Sequence, residues 1–236
     1  MIDIFNIKKK TCIVTGACSG IGRDVANFLE KNKCVVIRVD KKYTKKKNSY
    51  QLDLEDIESI KKFAKNIDLK YKSIDALINI AGVSDNKNFD KNISVNLTSN
   101  YYLTKSLVRL LKKKNSKTSS VINFTSLNAE LGFQSNPGYA ASKGGLKQLT
   151  KAMAFDYSKY NIRFNNVGPG YIKTKMTSKS FNDPQKKNER IKRMMIKKFG
   201  STKDLFGIIV FLISNASSYV TGQDFYIDGG FLSKGI

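Results

Sequence analysis

The sequence predicts an α/β fold: a doubly wound parallel sheet of about seven strands with helices on both faces. Three observations carry this expectation. Short β-branched runs alternate with longer amphipathic stretches along the whole chain. Several of those runs are apolar at consecutive positions, as strands covered on both faces require. A glycine-rich turn joins the first run to the first helical stretch.

Taken in order, the expected strands are TCIVTG (11–16), CVVIRVD (34–40), SYQLDL (49–54), DALINIAG (75–82), SSVINFTS (119–126), IRFNNVGPG (162–170) and DFYIDGG (224–230). Helical periodicity fills the intervals near 20–31, 55–67, 96–114, 138–158 and 203–214. Strict alternation of the two kinds of segment is the pattern of a parallel sheet wrapped by helices. With 236 residues the chain is expected to form a single domain, 1–236.

Composition excludes several function classes. No apolar run approaches the ~20 residues that cross a bilayer, and the polar, basic lead MIDIFNIKKK runs into glycines too soon for a signal peptide. A cytoplasmic protein without a membrane partner is expected. Cys12, Cys18 and Cys34 are odd in number and lack metal-ligand spacing, and the chain has no histidine, so no metal site is expected. The formal charge of +23 comes from lysines dispersed over KKK (8–10), KKYTKKK (41–47), KKK (112–114) and KKNERIKRMMIKK (186–198). Dispersed charge reads as solvated surface, and nucleic acid is not the expected partner.

The first strand runs into Thr15-Gly16-Ala17-Cys18-Ser19-Gly20-Ile21-Gly22, and Asp40 ends the second strand eighteen residues later. Glycines at this junction allow a tight turn, close approach of backbone to a pyrophosphate and close helix packing, while the helix N-terminus supplies positive potential. The pattern predicts dinucleotide binding. Farther on, Tyr139 and Lys143 stand one helical turn apart, a spacing that Tyr43/Lys47, Tyr101/Lys105 and Tyr171/Lys175 share by chance. What separates the one pair from the others is its context, with Ser126 thirteen residues before it.

That context resembles the short-chain dehydrogenase/reductase family across nearly the whole chain. TGACSGIG is similar to its TGxxxGIG loop, NIAG (79–82) to its NNAG, VNL (95–97) to its helix asparagine, and NFTS (123–126) to the strand that ends in its serine. YAASK (139–143) is similar to its YxxxK, GPGYIKT (168–174) to its PG-x-x-x-T segment, and SSYVTGQDFYIDGG (217–230) to its C-terminal strand. The resemblance implies a Rossmann-type, nicotinamide-dependent oxidoreductase interconverting a secondary alcohol and a ketone. It implies Tyr139 as the acid/base, Ser126 as the group that holds the substrate oxygen, Lys143 as pKa tuner and ribose anchor, and Asn96 as the residue steadying a proton-relaying water. A free phenol is a poor base at neutral pH, so a cation on the same helix face is the expected remedy.

For the cofactor, the resemblance implies contacts from Gly16, Ser19, Gly20, Ile21, Gly22, Asp40, Asp53, Leu54, Asn79, Ala81, Gly82, Tyr139, Lys143, Pro169, Gly170, Ile172 and Thr174. NAD is expected over NADP, because a carboxylate at Asp40 repels an additional 2′-phosphate, although Lys41 and Lys42 follow it directly. Two departures from the family are evident. Only KKYTKKKN separates Asp40 from the third strand, predicting a loop or single turn, and the segment from Gly82 to Asn96 lacks room for a full helix. The basic segment 175–199 is expected to form a substrate flap for a small molecule, with an anionic or carrier-bound substrate as one reading of its charge. A homotetramer or dimer is expected through the helices at 96–114 and 138–158, with Tyr101, Tyr102, Leu103, Leu107 and Phe155 as apolar contacts. Two other readings stay open: a 3-oxoacyl-thioester (acyl-carrier-protein) reductase, and, from a different class, a nucleotide-sensing or nucleic-acid-binding protein on the same fold.

Overall fold

The computed structural model describes residues 4–114 and 117–234; the first three residues of the polar lead lie outside them. Seven strands form one sheet in the order β3-β2-β1-β4-β5-β6-β7, and every pairing is parallel. The strands are β1 Thr11–Thr15, β2 Val35–Asp40, β3 Ser49–Gln51, β4 Ala76–Asn79, β5 Ser119–Phe124, β6 Ile162–Pro169 and β7 Asp224–Ile227. Each lies inside a run read from the sequence, and all but β2, which ends at Asp40 as its run does, end earlier, because the trailing glycines and polar residues belong to the loops that build the site.

Among the described residues there are eight α-helices: α1 Gly20–Lys31, α2 Ile57–Lys70, α3 Phe89–Ile93, α4 Ser99–Leu111, α5 Pro137–Tyr157, α6 Ser178–Asn182, α7 Pro184–Lys192 and α8 Phe206–Ile213. Between β2 and β3 there is no helix, only bends and a turn. The interval from Gly82 to Asn96 holds just the short α3 followed by one π-helical stretch, Ser94–Thr98. Both features follow from loop length.

Apolar side chains sort to the two faces. Cys12, Val14 and Ile78 pack with Val25 and Leu29 of α1 and with Ile209 and Leu212 of α8. Ile13, Ile37 and Leu77 pack on the other face with α2 and α4 residues such as Ile60, Leu103 and Leu107. Leu103 and Leu107 therefore belong to the chain's own core and present nothing to a partner. The strand order reverses at β1 and β4, and the loops after their C-terminal ends open the crevice where ligands of such sheets bind.

One polar feature crosses this apolar interior. Asn79, Asn123, Asn166 and Asp224 sit in register on β4, β5, β6 and β7. The Asn79 amide donates to Asn123 at 2.8 Å, Asn123 donates to the Thr150 hydroxyl at 2.8 Å, Thr150 donates to Asn166 at 2.7 Å, and Asn166 donates to Asp224 at 2.8 Å. Thr150 belongs to α5, so that helix is tied into a ladder that runs over four strands. Asp224 also pairs with Lys147 and Lys151 of α5. Buried amides linked in this way fix orientation, since a slip of the helix would leave several desolvated groups without partners.

Candidate active site

The nucleotide end of the crevice is built from the loop after β1. Gly16 adopts φ +69°, and a side chain there would meet the backbone of Ala81 at 3.1 Å. A Cβ on Gly22 would lie 2.2 Å from the Gly16 carbonyl oxygen, so α1 can lie this close to the loop only without one. Ser19 precedes α1 without bonding its side chain to the helix, and the first turn carries no acid. The free N–H groups and helix dipole therefore remain available to an anion.

Asp40 stands at the end of β2 with both carboxylate oxygens engaged. The Cys18 N–H donates to one at 2.8 Å and the Lys42 N–H to the other at 2.9 Å. Lys41 turns away to Asp53, at 2.7 Å, and to Glu55, at 3.7 Å; the Lys41 ammonium holds the Asp53 carboxyl below its ordinary range. These groups line a cleft of about 400 Å³ together with Gly16, Ser19, Leu54, Ala81 and Gly82. Glu55, Val83, Lys91 and Val95 also line it. Sequence reasoning missed those four, and for Val83, adjoining the NIAG motif, position along the chain was a usable signal.

The cleft is continuous in its lining with a second pocket of about 290 Å³ through Gly82. Ile21, Ser126, Tyr139, Lys143, Pro169, Gly170, Ile172 and Thr174 line this second pocket. Ser126 arrives at the end of β5, and Tyr139 and Lys143 lie on the first turns of α5, whose start is fixed by Asn136 accepting the Tyr139 N–H and by Pro137. Asn128, Leu127, Phe133, Met176 and Thr177 are also among the lining residues. They carry no motif, and only the fold gathers them.

Tyr139 is half-buried; desolvation raises its phenol, while a hydrogen bond with Ser126 opposes the shift. Lys143 donates to the Phe124 carbonyl at 2.7 Å, and its ammonium lies 5.7 Å from the centre of the Tyr139 ring. Burial lowers the lysine to about 8. The phenol is thus held protonated in this state, and burial, rather than the Lys143 charge, sets the direction of its shift. The arrangement can donate a proton to an oxygen placed between Ser126 and Tyr139.

Asn96 stands behind Gly82 near Lys143, its Oδ1 3.1 Å and the Lys143 ammonium 3.5 Å from where a Cβ on that glycine would lie. It is fully buried in the π-helical stretch; its amide donates to the Val83 carbonyl at 2.8 Å and to Ser142 at 3.0 Å, and its oxygen accepts the Val83 N–H at 2.8 Å. Its carbonyl accepts from Asn100 at 2.7 Å. The side chain clamps the loop after β4 to α5, the sort of task for which π-bulges recur near functional sites. Asn79 likewise is buried in the sheet ladder and does not line either pocket. Gly20 and Gly22 shape the loop from within and are also absent from both linings.

A nicotinamide dinucleotide fits these residues: the glycine cradle admits backbone close to a pyrophosphate, the Asp40 end accepts ribose hydroxyls, and Lys143 and Thr174 stand in the inner pocket.

The profile of a family described as enoyl-(acyl carrier protein) reductase matches residues 16–232. The 3-oxoacyl-[acyl-carrier-protein] reductase FabG of Buchnera aphidicola is 35% identical over 95% of this chain and 98% of its own. The 2-dehydro-3-deoxy-D-gluconate 5-dehydrogenase of Formosa agariphila is 32% identical over 98% of this chain and 96% of its own. Among solved structures, a gluconate 5-dehydrogenase from Burkholderia cenocepacia in complex with NADP and tartrate superimposes with a TM-score of 0.91 at 24% identity, covering 99% of both chains. A 4-hydroxyisoleucine dehydrogenase complexed with NADH gives 0.88 at 28% identity, covering 96% of this chain and all (100%) of its own. Motif order, parallel sheet and sequence identity agree: the chain belongs to the short-chain dehydrogenase/reductase family of oxidoreductases.

Proposed function

We propose that this chain interconverts a secondary alcohol and a ketone on a small metabolite, with Tyr139 transferring the proton, Ser126 holding the reacting oxygen and Lys143 anchoring the nucleotide. The observation that carries this reading is the convergence of those three side chains in one pocket that adjoins the glycine-loop cleft. When bound, the nicotinamide supplies or accepts the hydride. The chain's own residues do the rest: the Tyr139 phenol gives its proton to the ketone oxygen as charge develops there, and the Ser126 hydroxyl donates to the same oxygen. Asn96 is a positioning residue in this scheme, acting through Val83 and Ser142. Residues 1–236 are read as a single domain, with 175–199 as its substrate flap, placed in a reducing compartment such as the cytoplasm.

For the cofactor we favour NAD(H). Among the similar solved structures four are described with NADP and one with NADH, so likeness leans towards NADP. Asp40 is the physical ground for the opposite reading: two backbone N–H groups hold its carboxylate at the strand end, and a 2′-phosphate placed there would meet a fixed like charge. Lys41, the nearest cation in sequence, is drawn to Asp53 and Glu55. A panel of ketones and alcohols run with both cofactors is expected to show turnover with a preference for NADH, and Asp40→Ala is expected to narrow or reverse that preference. Tighter binding of NADPH to the unaltered protein would overturn the assignment.

Relatives named for acyl-carrier-protein substrates keep one alternative in view, a 3-oxoacyl-thioester reductase. Faster turnover of a carrier-bound substrate than of any free ketone would favour it.

Self-association is proposed through the outer face of α4 and α5. Leu97, Tyr101, Gly145, Leu149 and Ala152 line an apolar groove there, and Phe155 is 85% exposed. A large aromatic left in water beside an apolar groove is stabilised by covering it. Light scattering at micromolar concentration is expected to report a dimer or tetramer; a monomer would count against the proposal.

A further inference from the structure

One charged side chain lies inside the apolar face that α1 covers. Arg38, third from the end of β2, is 2% exposed. Each of its three nitrogens has a partner. Nε and Nη2 donate to the two carboxylate oxygens of Glu30 on α1, at 2.9 Å and 2.8 Å, and Nη2 also donates to the Asn27 amide oxygen at 2.7 Å. Nη1 donates to the Ala17 carbonyl at 3.1 Å. The hydrogen bonds from Arg38 hold the Glu30 carboxyl below its ordinary range, so the pair is charged.

Ala17 belongs to the glycine-rich loop. Its N–H donates to the Val39 carbonyl at 3.2 Å, and the N–H of the next residue, Cys18, donates to Asp40 at 2.8 Å. The Ala17 carbonyl and the Cys18 N–H are the two ends of one planar peptide group. Arg38 therefore holds the oxygen of that peptide and Asp40 its hydrogen, both from β2. Among the described residues the Ala17 carbonyl accepts only from Arg38. On either side of the clamped pair, Gly16 and Ser19 line the outer cleft, as Asp40 does.

A buried ion pair by itself is weak evidence of any role, since desolvation offsets the attraction and apolar side chains of similar volume often serve the core as well. A methionine at position 38 would fill much of the same space. It would leave the Ala17 carbonyl buried without a donor, and that loss favours a turned peptide. Turning the peptide would also carry the Cys18 N–H away from Asp40. We infer that Arg38 is a positioning residue for the nucleotide: by fixing the Ala17–Cys18 peptide it sets both the glycine loop and, through the Cys18 N–H, the carboxylate of Asp40. It acts from behind the loop and makes no contact with the ligand. This rests on the dinucleotide-binding reading above and adds to it a residue that lies in none of the motifs.

The test uses variants of the complete chain, each titrated with NADH and with NADPH by fluorescence and melted without ligand. Arg38→Met is expected to lower Tm and to weaken the tighter-binding cofactor by about tenfold or more, the scale of one hydrogen bond from a charged group. Glu30→Gln weakens the ion pair but leaves Arg38 on Ala17; it is expected to lower Tm with cofactor binding unchanged. Arg38→Met/Glu30→Met replaces the pair with apolar side chains. Its Tm is expected to recover towards that of the unaltered protein, while cofactor binding stays as weak as in Arg38→Met. Arg38→Lys keeps the charge without the planar fork; it serves should the methionine variants fold poorly, and is expected to bind cofactor more weakly than Glu30→Gln does. ADP, displacing the cofactor, is expected to lose the same factor, because the loop meets the phosphates. Cofactor affinity that follows Tm across the variants, affinity unchanged in Arg38→Met or Arg38→Lys, or ADP binding unaffected by either overturns the inference. Absence of any cofactor fluorescence from the unaltered protein would instead sink the oxidoreductase reading.

Discussion

Tyr139→Phe is expected to lower kcat by about 10²- to 10⁴-fold, the usual contribution of a positioned acid or base, while cofactor binding survives. The substitution removes one hydroxyl from a half-buried residue whose backbone is already fixed by the Asn136 cap at the start of α5. Burial raises the phenol against the opposing effect of Ser126. The sign follows directly. A raised pKa keeps the proton-donating form populated through neutral pH, so ketone reduction needs no prior ionisation. Alcohol oxidation needs the phenolate and is expected to accelerate as pH rises towards the phenol's pKa. Initial rates in both directions, with cofactor fluorescence as the binding control, check both expectations. Substantial turnover in the phenylalanine variant would show that another group moves the proton.

Lys143→Met is expected to abolish activity and weaken cofactor binding while making the free protein more stable. Burial lowers Lys143 from 10.5 to about 8, so folding strips hydration from its charged form without a carboxylate to compensate. Because the folded pKa lies below the unfolded one, the full cost is present below about pH 8 and disappears as pH rises to about 10.5, where the unfolded lysine also loses its proton. A shift of this size corresponds to about 3 kcal/mol. Losing the hydrogen bond to the Phe124 carbonyl returns about 1 kcal/mol of that. The remaining ~2 kcal/mol predicts a Tm higher by about 4–8 °C for a chain of this size at neutral pH. Thermal melts at pH 7 and pH 10 should show the gap narrowing at the higher pH. A variant less stable than its parent at pH 7 would mean that Lys143 is not charged and strained in the free protein. A stability cost concentrated at a functional lysine is the expected form of a trade-off between stability and activity.

Both expectations depend on how far a linear reading reached. The glycine loop, the end of β2, and Ser126, Tyr139 and Lys143 were legible because each belongs to a short local pattern whose geometry follows from strand, turn and helix spacing. Loop lengths also carried the missing helix after Asp40 and the shortened one before Asn96. Asn96 and Asn79 show the limit. Their motifs suggest a water relay and a cofactor contact, and nothing in those motifs names the partners that hold their side chains, Val83 with Ser142 for one and Asn123 for the other, which lie on other elements. Leu103 and Leu107 illustrate the same limit for assembly, since helical spacing does not say which face of α4 meets the sheet.

By itself the sequence determined the class of fold, the family and the order of the local motifs, because alternation of segments and motif order are properties of neighbours along the chain. The tertiary structure decided which side chains share a space. Only the strand order makes Asn79, Asn123, Asn166 and Asp224 a single ladder, draws Lys41 to Asp53 instead of leaving it beside Asp40, and lays Arg190 on the ring of Tyr171. Such contacts join residues far apart in the chain, and their energies depend on burial and geometry, which exist only once the sheet and its helices have packed.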